Sequence, residues 1–238
     1  MPAPYGLEII DNCATCSRKS AGFFCDLSSP ALKSFEEVKY TSSYPADALL
    51  FVEGQLPRGV YMLCKGRVKL TMTSPEGKSI ILHIAEPGEL IGLNDAMSGK
   101  PYEFSAETLE PCQVNFIKRE AFLRLVREHP QVSAHATDQL SRDYRAACLQ
   151  IRSLGLSRTA SEKVARFLLE VAAKGQETNQ GTRMNLALTH EEIAQIVGVS
   201  RETVTRTLTE LKNKSLITVK GPTVIIRNKT GLEALAAA

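Results

Sequence analysis

The chain has 238 residues, of which 43% are hydrophobic and 23% are charged, and its formal net charge is +3. No apolar run approaches the roughly 20 residues of a membrane-spanning helix, and the amino terminus lacks the basic and apolar regions of a secretory signal. We therefore expect a cytoplasmic protein without a membrane partner. Residues 156–238 hold 12 Lys and Arg against 8 Asp and Glu, so contact with phosphates is expected in the last third of the chain.

The first predicted segment, residues 1–29, is an arm that carries the sequence DNCATCSRKSAGFFC. Cys13, Cys16 and Cys25 all lie within it. Because thiols stay reduced in the cytosol, this spacing favours metal binding or redox chemistry over structural disulfides. From these residues alone, a metal site, a redox switch and a group of unrelated cysteines all remain open.

The second predicted segment, residues 30–130, alternates short β-type runs with turns. Runs such as VYMLCKG, SIILHIAEPGE and CQVNFIK are separated by glycines at positions 54, 66, 77 and 88, which recur at intervals of 11 or 12 residues. Short strands at this spacing are typical of an antiparallel barrel or jelly roll. We predict an N-terminal antiparallel double-stranded β-helix, or jelly roll, over these residues.

A long helix is predicted next, over residues 131–155. Its apolar positions step by four and three residues, which is the pattern by which two helices pack along each other. These positions are Leu140, Tyr144, Ala147, Ile151 and Leu154. We predict a dimerisation helix, although packing of the stripe onto the chain's own core would give a similar pattern.

The last predicted segment, residues 156–238, reads as a winged helix-turn-helix, which makes the overall fold class α+β. Thr189 and Glu192 have the spacing of a capping box at a helix start. Gly198 suits a tight turn, and Ser200 suits the start of a second helix. The alternating runs in LITVKGPTVIIRN predict a β-hairpin wing, whereas the polar stretch QETNQGTR predicts a loop.

The second helix of this motif presents a polar face that matches the chemistry of DNA bases. Arginine can donate two hydrogen bonds to guanine, and glutamate can accept from cytosine. Residues near the start of a recognition helix are those that reach base edges. We predict that the residues contacting double-stranded DNA are Ser200, Arg201, Glu202, Thr205 and Arg206. A solvated surface of Arg–Glu pairs is the alternative.

The helix-turn-helix reads HEEIAQIVGVSRETVTRTLTEL, the wing reads LITVKG and one loop of the roll reads PGELIG. Together with the order of roll, long helix and winged helix, these stretches resemble the CRP/FNR superfamily of transcription regulators. The resemblance implies a homodimer that binds a two-fold symmetric operator and contacts RNA polymerase. It also implies that Arg201, Glu202 and Arg206 read a TGTGA-like half-site. An enzyme is not expected, because no thioredoxin-like βαβ pattern surrounds the CxxC motif and no nucleophile–base pair stands out elsewhere.

The roll of this superfamily often binds a cyclic nucleotide, through a Gly-Glu-Leu loop and an arginine about ten residues later. Gly88-Glu89-Leu90 is present, but no arginine occurs between Glu89 and Lys118. A buried phosphate without a guanidinium partner is costly. We therefore interpret PGELIG as a structural turn and do not expect a cyclic nucleotide ligand.

The cysteines resemble those of the oxygen-sensing, FNR-type branch, which adds a fourth cysteine late in the roll. The stretch AETLEPCQVNFI carries Cys112 at the matching point. The resemblance implies that a [4Fe–4S] cluster, which takes four thiolates, is held by Cys13, Cys16, Cys25 and Cys112. The gap between the second and third of these cysteines, eight residues, is longer than is usual in that branch.

The neighbourhood of the arm cysteines is compatible with such a cluster. Arg18 and Lys19 would offset its negative charge, and Phe23 and Phe24 would shield it from water. Cys64 and Cys148 have no ligand role in the pattern and are interpreted as ordinary small apolar residues.

Four other ways of controlling the protein stay open at this stage. The same four thiolates could hold zinc, or Cys13 or Cys16 could form a reversible disulfide with Cys25. A small molecule could bind in the roll, or no cofactor could be present. In the cluster hypothesis, the signal is O₂, NO or another oxidant.

Overall fold

The structure, a computed structural model, describes residues 4–13, 16, 22–156 and 159–236. It divides into two compact units, Met1–Ala146 and Ala147–Ala238, and the division falls inside one long helix. Within the described ranges, no helix is both long enough and apolar enough to cross a membrane.

The described part of the first unit contains eight strands and the helices around them. The strands are β1 (Lys39–Tyr44), β2 (Leu49–Phe51), β3 (Gly59–Lys65), β4 (Val68–Thr73), β5 (Ser79–Ala85), β6 (Leu90–Ile91), β7 (Ser105–Thr108) and β8 (Cys112–Lys118). The helices are α1 (Ser29–Val38), α2 (Leu93–Ser98), α3 (Arg119–Glu128) and the long α4 (Pro130–Leu156), preceded by a 3-10 turn at Pro4–Gly6.

These strands form two antiparallel sheets of four, in the orders β1-β8-β3-β6 and β2-β7-β4-β5. One core cluster draws residues from both sheets, including Leu63 and Val114 from the first and Phe51, Val68 and Ala106 from the second. The two sheets therefore enclose a shared interior, and the predicted double-stranded β-helix is confirmed.

The first sheet has two buried faces, because successive side chains of a strand point to opposite sides. Tyr61, Leu63 and Val114 belong to the interior cluster. Val60, Met62 and Ile117 belong to a second cluster, which the N-terminal arm and helices α1, α3 and α4 cover. We call these the interior face and the arm face. A residue's place along β3 or β8 decides which core it joins.

The second unit is a winged helix-turn-helix, as predicted. Its helices beyond α4 are α5 (Ala160–Ala172), α6 (His190–Val197), α7 (Arg201–Asn213) and α8 (Lys229–Ala236). Its strands are β9 (Gln176–Thr178), β10 (Gly181–Asn185), β11 (Ile217–Lys220) and β12 (Thr223–Ile226), in the sheet order β11-β12-β10-β9. The predicted wing is the β11–β12 hairpin, in which Gly221 adopts a positive φ of 55°.

The elements that were not expected from the sequence include α1, the hairpin β9–β10 and α8. Helix α1 replaces the β-type structure predicted from residue 30, and it begins with Pro30 in its first turn, where proline loses no helical hydrogen bond. The predicted loop QETNQGTR contains most of a hairpin, β9–β10, whose first strand is fully exposed and so shows no apolar alternation. The alanine-rich end forms α8, which buries Leu232.

Candidate functional site

The N-terminal arm is hydrogen-bonded to the arm face of the first sheet. Gln113 on β8 holds the backbone of Ile10 twice, accepting from its N–H at 2.9 Å and donating to its carbonyl at 2.7 Å. The backbone N–H of Cys13 donates to the Glu36 carboxylate on α1 at 2.7 Å. These contacts fix the chain on both sides of Asp11 and bring the first cysteine against the sheet.

The segment around Cys25 packs tightly against the roll. A Cβ atom on Gly22 would lie 2.6 Å from the Gly88 Cα atom, so only glycine allows this approach. Phe23 N–H donates to the Gly88 carbonyl at 2.9 Å. The Phe24 ring stacks on Phe35 with centroids 4.3 Å apart, and both arm phenylalanines are buried. The expectation that they exclude water therefore agrees with their placement.

Four cysteines line one narrow, largely apolar cavity between the arm and the sheet. They are Cys13, Cys16, Cys25 and Cys64. The cavity is closed on its apolar side by Phe24, Phe35 and Met62. As the side chains are placed, no three His, Cys, Asp or Glu residues of the described ranges form a group that could hold a metal ion.

Cys112, which the resemblance implied as the fourth ligand, does not reach this cavity. It is fully buried in the interior cluster, and its thiol donates to the backbone carbonyls of Glu110 and Arg67 at 3.1 and 3.4 Å. The physical reason is strand alternation, because Cys112 lies one residue before Gln113, which faces the arm. The structure therefore places Cys112 on the opposite face of the sheet from the cavity that the three arm cysteines line.

Cys64 was interpreted as an ordinary apolar residue, yet it lies at the cavity. It packs on the arm-face cluster with Met62, two residues earlier on β3. The alternation in VYMLC, with Tyr61 and Leu63 pointing the other way, was the available signal. Cys148 is exposed on α4 and does not line the cavity.

Two polar side chains approach the cavity sulfurs. The Lys39 ammonium lies 3.4 Å from the Cys13 Sγ atom and 2.9 Å from the Glu36 carboxylate. The Asn115 amide nitrogen lies 3.3 Å from the Cys64 Sγ atom and 4.0 Å from that of Cys13. Both groups are donors, so they would favour sulfur in its anionic form.

Burial keeps the thiols of Cys13 and Cys64 protonated. It raises the pKa of Cys13 to about 11 and that of Cys64 to about 12. Thiols of high pKa are poor nucleophiles, whereas a metal displaces the proton when it binds. The predicted charge partners Arg18 and Lys19 lie outside the described residues.

The helix-turn-helix is built by the local signals expected of it. Thr189 and Glu192 form a reciprocal capping box at the start of α6. Gly198 ends that helix with a positive φ of 70°. The Ser200 hydroxyl then accepts the Thr203 N–H at 3.2 Å and caps α7. Each end of the turn is thus satisfied by its own residues.

Helix α7 buries one face and exposes the polar face predicted to contact DNA, here called the reading face. Val204, Leu208 and Leu211 are buried in the core of the second unit. All of the predicted DNA-contact residues are exposed, namely Ser200, Arg201, Glu202, Thr205 and Arg206. Hydrogen bonds from its own backbone N–H and from the Ser200 hydroxyl lower the pKa of Glu202. Glu202 is therefore an ionised acceptor, and the arginines are donors.

The five residues of α4 that were predicted to form the dimer interface, here called the seam, divide into two groups. Tyr144, Ala147 and Ile151 are exposed, with 75% of Tyr144 and 70% of Ile151 accessible. Leu140 is half-buried against the arm-face cluster. Leu154 is half-buried, and a Cβ atom on Gly198 would lie 2.5 Å from its Cδ2 atom. The middle of the predicted seam is thus an apolar stripe open to a partner.

Both halves of the chain match models of known domains. The Crp-like helix-turn-helix domain matches residues 162–235. The cyclic nucleotide-binding domain matches residues 41–129, so the roll has the fold of that domain.

Known proteins match over most of the chain. The transcriptional activatory protein AadR of Rhodopseudomonas palustris is 31% identical over 87% of this chain and 85% of its own length. The cAMP-activated global transcriptional regulator CRP of Pasteurella multocida is 27% identical over 83% of this chain and 94% of its own length. The structure of FixK2 from Bradyrhizobium japonicum is 27% identical, with a TM-score of 0.74 and coverages of 84% and 98%.

These relatives are transcription regulators and not enzymes, which confirms that expectation. The helix-turn-helix, the roll and the long helix between them match relatives along almost the whole chain. The chain belongs to the CRP/FNR family of DNA-binding transcription regulators.

Proposed function

We propose that the protein acts in the cytoplasm as a homodimer on a two-fold symmetric operator with TGTGA-like half-sites, together with RNA polymerase. The observation that carries this proposal is the row of exposed donors and acceptors at the start of α7. Arg201 and Arg206 are exposed and can donate to guanine edges, and the exposed Glu202 carboxylate can accept from cytosine. Two copies would present two such helices to successive major grooves.

Replacing Arg206 with alanine tests the reading of the half-site. We expect specific binding to weaken by about 1–3 kcal/mol, the range of a bidentate base contact. Fluorescence anisotropy on a symmetric TGTGA duplex and on a scrambled duplex measures this change. Lys212→Ala is the matched control, because Lys212 is an exposed cation near the carboxyl end of the same helix, two turns beyond Thr205. Unchanged preference for the specific duplex in Arg206→Ala would refute the assignment.

The exposed stripe on α4 supports the homodimer. Ile151 projects from the helix with 70% of its surface accessible, and a charge there could not be buried against a second copy. We expect Ile151→Glu to give a monomer in sedimentation and to lose operator affinity. Leu149→Glu makes the same kind of change on the opposite side of the helix and should leave the dimer intact. Equal behaviour of the two variants would argue against this seam.

The second part of the proposal is that a thiolate-bound [4Fe–4S] cluster at the arm cavity controls DNA binding. Support comes from the convergence of Cys13, Cys16 and Cys25 on one cavity that buried phenyl rings close. Bound there, the cluster would supply a centre that reacts with O₂ or NO. The chain's own part is to provide thiolates, to exclude water through Phe24 and to supply positive charge through Lys39.

The route from this cavity to the long helix runs through the backbone that follows Gly22. His135 on α4 donates from Nδ1 to the Phe23 carbonyl at 2.8 Å. Gln131 donates to the Asp26 carbonyl at 3.0 Å and accepts from the Ser28 N–H at 2.8 Å. A displacement of the segment around Cys25 would therefore change these hydrogen bonds and displace α4, the helix that carries the proposed dimer interface.

Anaerobic purification tests the cluster. We expect a brown protein with iron and acid-labile sulfide in near-equal amounts, and operator affinity that falls after exposure to air. A colourless, iron-free protein that binds the operator equally well in air and under argon would rule out cluster control. One zinc ion per chain would identify a zinc site in its place. Reversible loss of binding with diamide in iron-free protein would identify thiol oxidation.

A small ligand in the roll is the second candidate, because the roll matches the cyclic nucleotide-binding domain. Cyclic AMP is not favoured, since the Glu89 carboxylate is hydrogen-bonded to His83 at 2.6 Å and no arginine follows it before Lys118. Stacked rings of Phe51 and Tyr102, 3.8 Å apart, also occupy the interior. Calorimetry with cyclic AMP and cyclic GMP tests this candidate, and we expect no heat of binding.

A further inference from the structure

The geometry points to Cys64 as the fourth thiolate of the arm cavity, completing a set with Cys13, Cys16 and Cys25. This inference rests on the proposed cluster and names the ligand that the resemblance put elsewhere. It assigns a metal-binding role to the end of β3, within the roll itself. The roll would thus bind the sensor group directly, and the arm would contribute the other three thiolates.

The first support is the face on which Cys64 lies. Strand β3 directs Tyr61 and Leu63 into the interior and Met62 to the arm face. The ladder with β8 pairs Leu63 with Val114 and Lys65 with Gln113, and it shifts register between them. Cys64 is the extra residue of this bulge. A bulge bends the strand and redirects a side chain, and this one aims the thiol at the cavity.

The second support is a donor shared by two thiols from distant parts of the chain. The Asn115 amide nitrogen lies within 4.0 Å of both the Cys64 and the Cys13 sulfur atoms. The side chain is held in this orientation, because its oxygen accepts from the Thr41 hydroxyl at 2.8 Å. An oriented amide between two sulfurs is the kind of outer contact that positions metal ligands. The Cys112 thiol donates instead to two backbone carbonyls, those of Arg67 and Glu110.

The third support is the charge at the cavity. A thiolate-ligated cluster carries net negative charge, which a buried site must offset. Lys39 supplies a cation whose side chain is only 6% exposed, 3.4 Å from the Cys13 sulfur. Cys112 has backbone carbonyls around its sulfur, which are acceptors and would oppose a thiolate there. The cavity therefore holds a buried cation against one of its sulfurs.

Anaerobic reconstitution of the full chain with ferrous iron and sulfide tests the assignment. We expect Cys64→Ala to lose most of the iron and sulfide that the wild type retains after desalting, and Cys112→Ala to retain the wild-type amount. Circular dichroism and thermal unfolding show whether each variant is folded. A folded Cys64→Ala protein with full iron content overturns the inference, as does loss of iron in a folded Cys112→Ala protein alone.

Alkylation of the wild-type chain gives a second test that needs no variant. N-ethylmaleimide labelling is followed by mass spectrometry on protein with and without the reconstituted cluster. We expect Cys64 to label several-fold more slowly when iron is bound, and Cys112 to label at one rate in both samples. Equal rates at Cys64 overturn the inference. If the wild type holds no iron, the proposed cluster itself is wrong. If the Cys64→Ala protein retains iron, only the assignment of Cys64 as a ligand is wrong.

Discussion

The arm cavity and the exposed polar face of α7 both use charged side chains, but the cavity buries them and the face of α7 exposes them. At the cavity, the functional groups are buried with the core, and Lys39 is held by Glu36 and faces a sulfur. On α7, the functional groups are exposed, while Val204, Leu208 and Leu211 anchor the helix from behind. Stability and function are therefore inseparable in the first region and separable in the second.

The largest expected effect comes from the cavity wall. Phe24→Ala removes a ring that is 1% exposed and stacked on Phe35, so we expect a loss of about 3–5 kcal/mol in the free energy of unfolding. Urea unfolding followed by circular dichroism measures it. Leu149→Ala, which truncates an exposed apolar side chain, is the control. A loss below about 1 kcal/mol in Phe24→Ala would break the comparison.

One buried carboxylate of the first unit gives the next largest effect, through its dependence on pH. Burial and the nearby Glu103 charge raise the pKa of Asp95 in the roll to about 6, and neither of its oxygens has a hydrogen-bond donor among the described residues. The folded state thus holds a proton that the unfolded chain has released, and stability falls as pH rises from about 4 to 6.

Asp95→Asn should remove that fall. At pH 7 we expect the variant to be more stable than the wild type by about 1–3 kcal/mol, because the wild type must then bury an ionised carboxylate and the amide carries no charge. Thermal unfolding between pH 4 and pH 7 measures both effects, with the exposed Asp138→Asn as the control. A wild-type pH dependence retained in Asp95→Asn would show that another group causes it.

A smaller effect is expected at the start of α6. Thr189→Ala removes the hydroxyl that accepts the Glu192 N–H, which should lower the free energy of unfolding by about 1 kcal/mol. Differential scanning calorimetry of the full chain measures it. Thr189→Ser keeps the acceptor and should behave as the wild type, so equal destabilisation of both variants would exclude the cap as the cause.

The smallest effect on stability is expected on the reading face itself. Arg201 is exposed, so Arg201→Ala should change the free energy of unfolding by less than about 0.5 kcal/mol. The same variant should bind the specific duplex more weakly by about 1–3 kcal/mol. A stability loss as large as the binding loss would mean that the two properties are not separable here either.

The helix-turn-helix could be predicted because its signals are local. The capping box at Thr189, the turn at Gly198 and the cap at Ser200 each involve residues within a few positions of one another. The fourth cysteine could not be placed in this way. Whether Cys64 or Cys112 faces the arm depends on how β3 and β8 pair, which is a contact between distant residues.

Alternation along each strand nevertheless held part of the answer. In CQVNFIK, Cys112 shares its side with Val114, and Gln113 shares the other side with Asn115. A polar pair on one side and an apolar set on the other indicates that Cys112 belongs to the interior. The sequence-based prediction named Cys112 as a ligand because its position matches that of a cysteine in the FNR-type branch, and it did not use this alternation. The hairpin β9–β10 was missed for a different reason, since an exposed strand has no apolar alternation to detect.

The contacts of Gln131 with the arm are made to backbone atoms, at the Asp26 carbonyl and the Ser28 N–H. Substitutions that alter only the side chains at these two positions leave both hydrogen bonds available, so the arm sequence is free to drift during evolution without uncoupling it from α4. Proline at position 28 is the exception, because it has no N–H to donate. The connection between the arm and α4 at these two positions therefore depends on one side chain, that of Gln131.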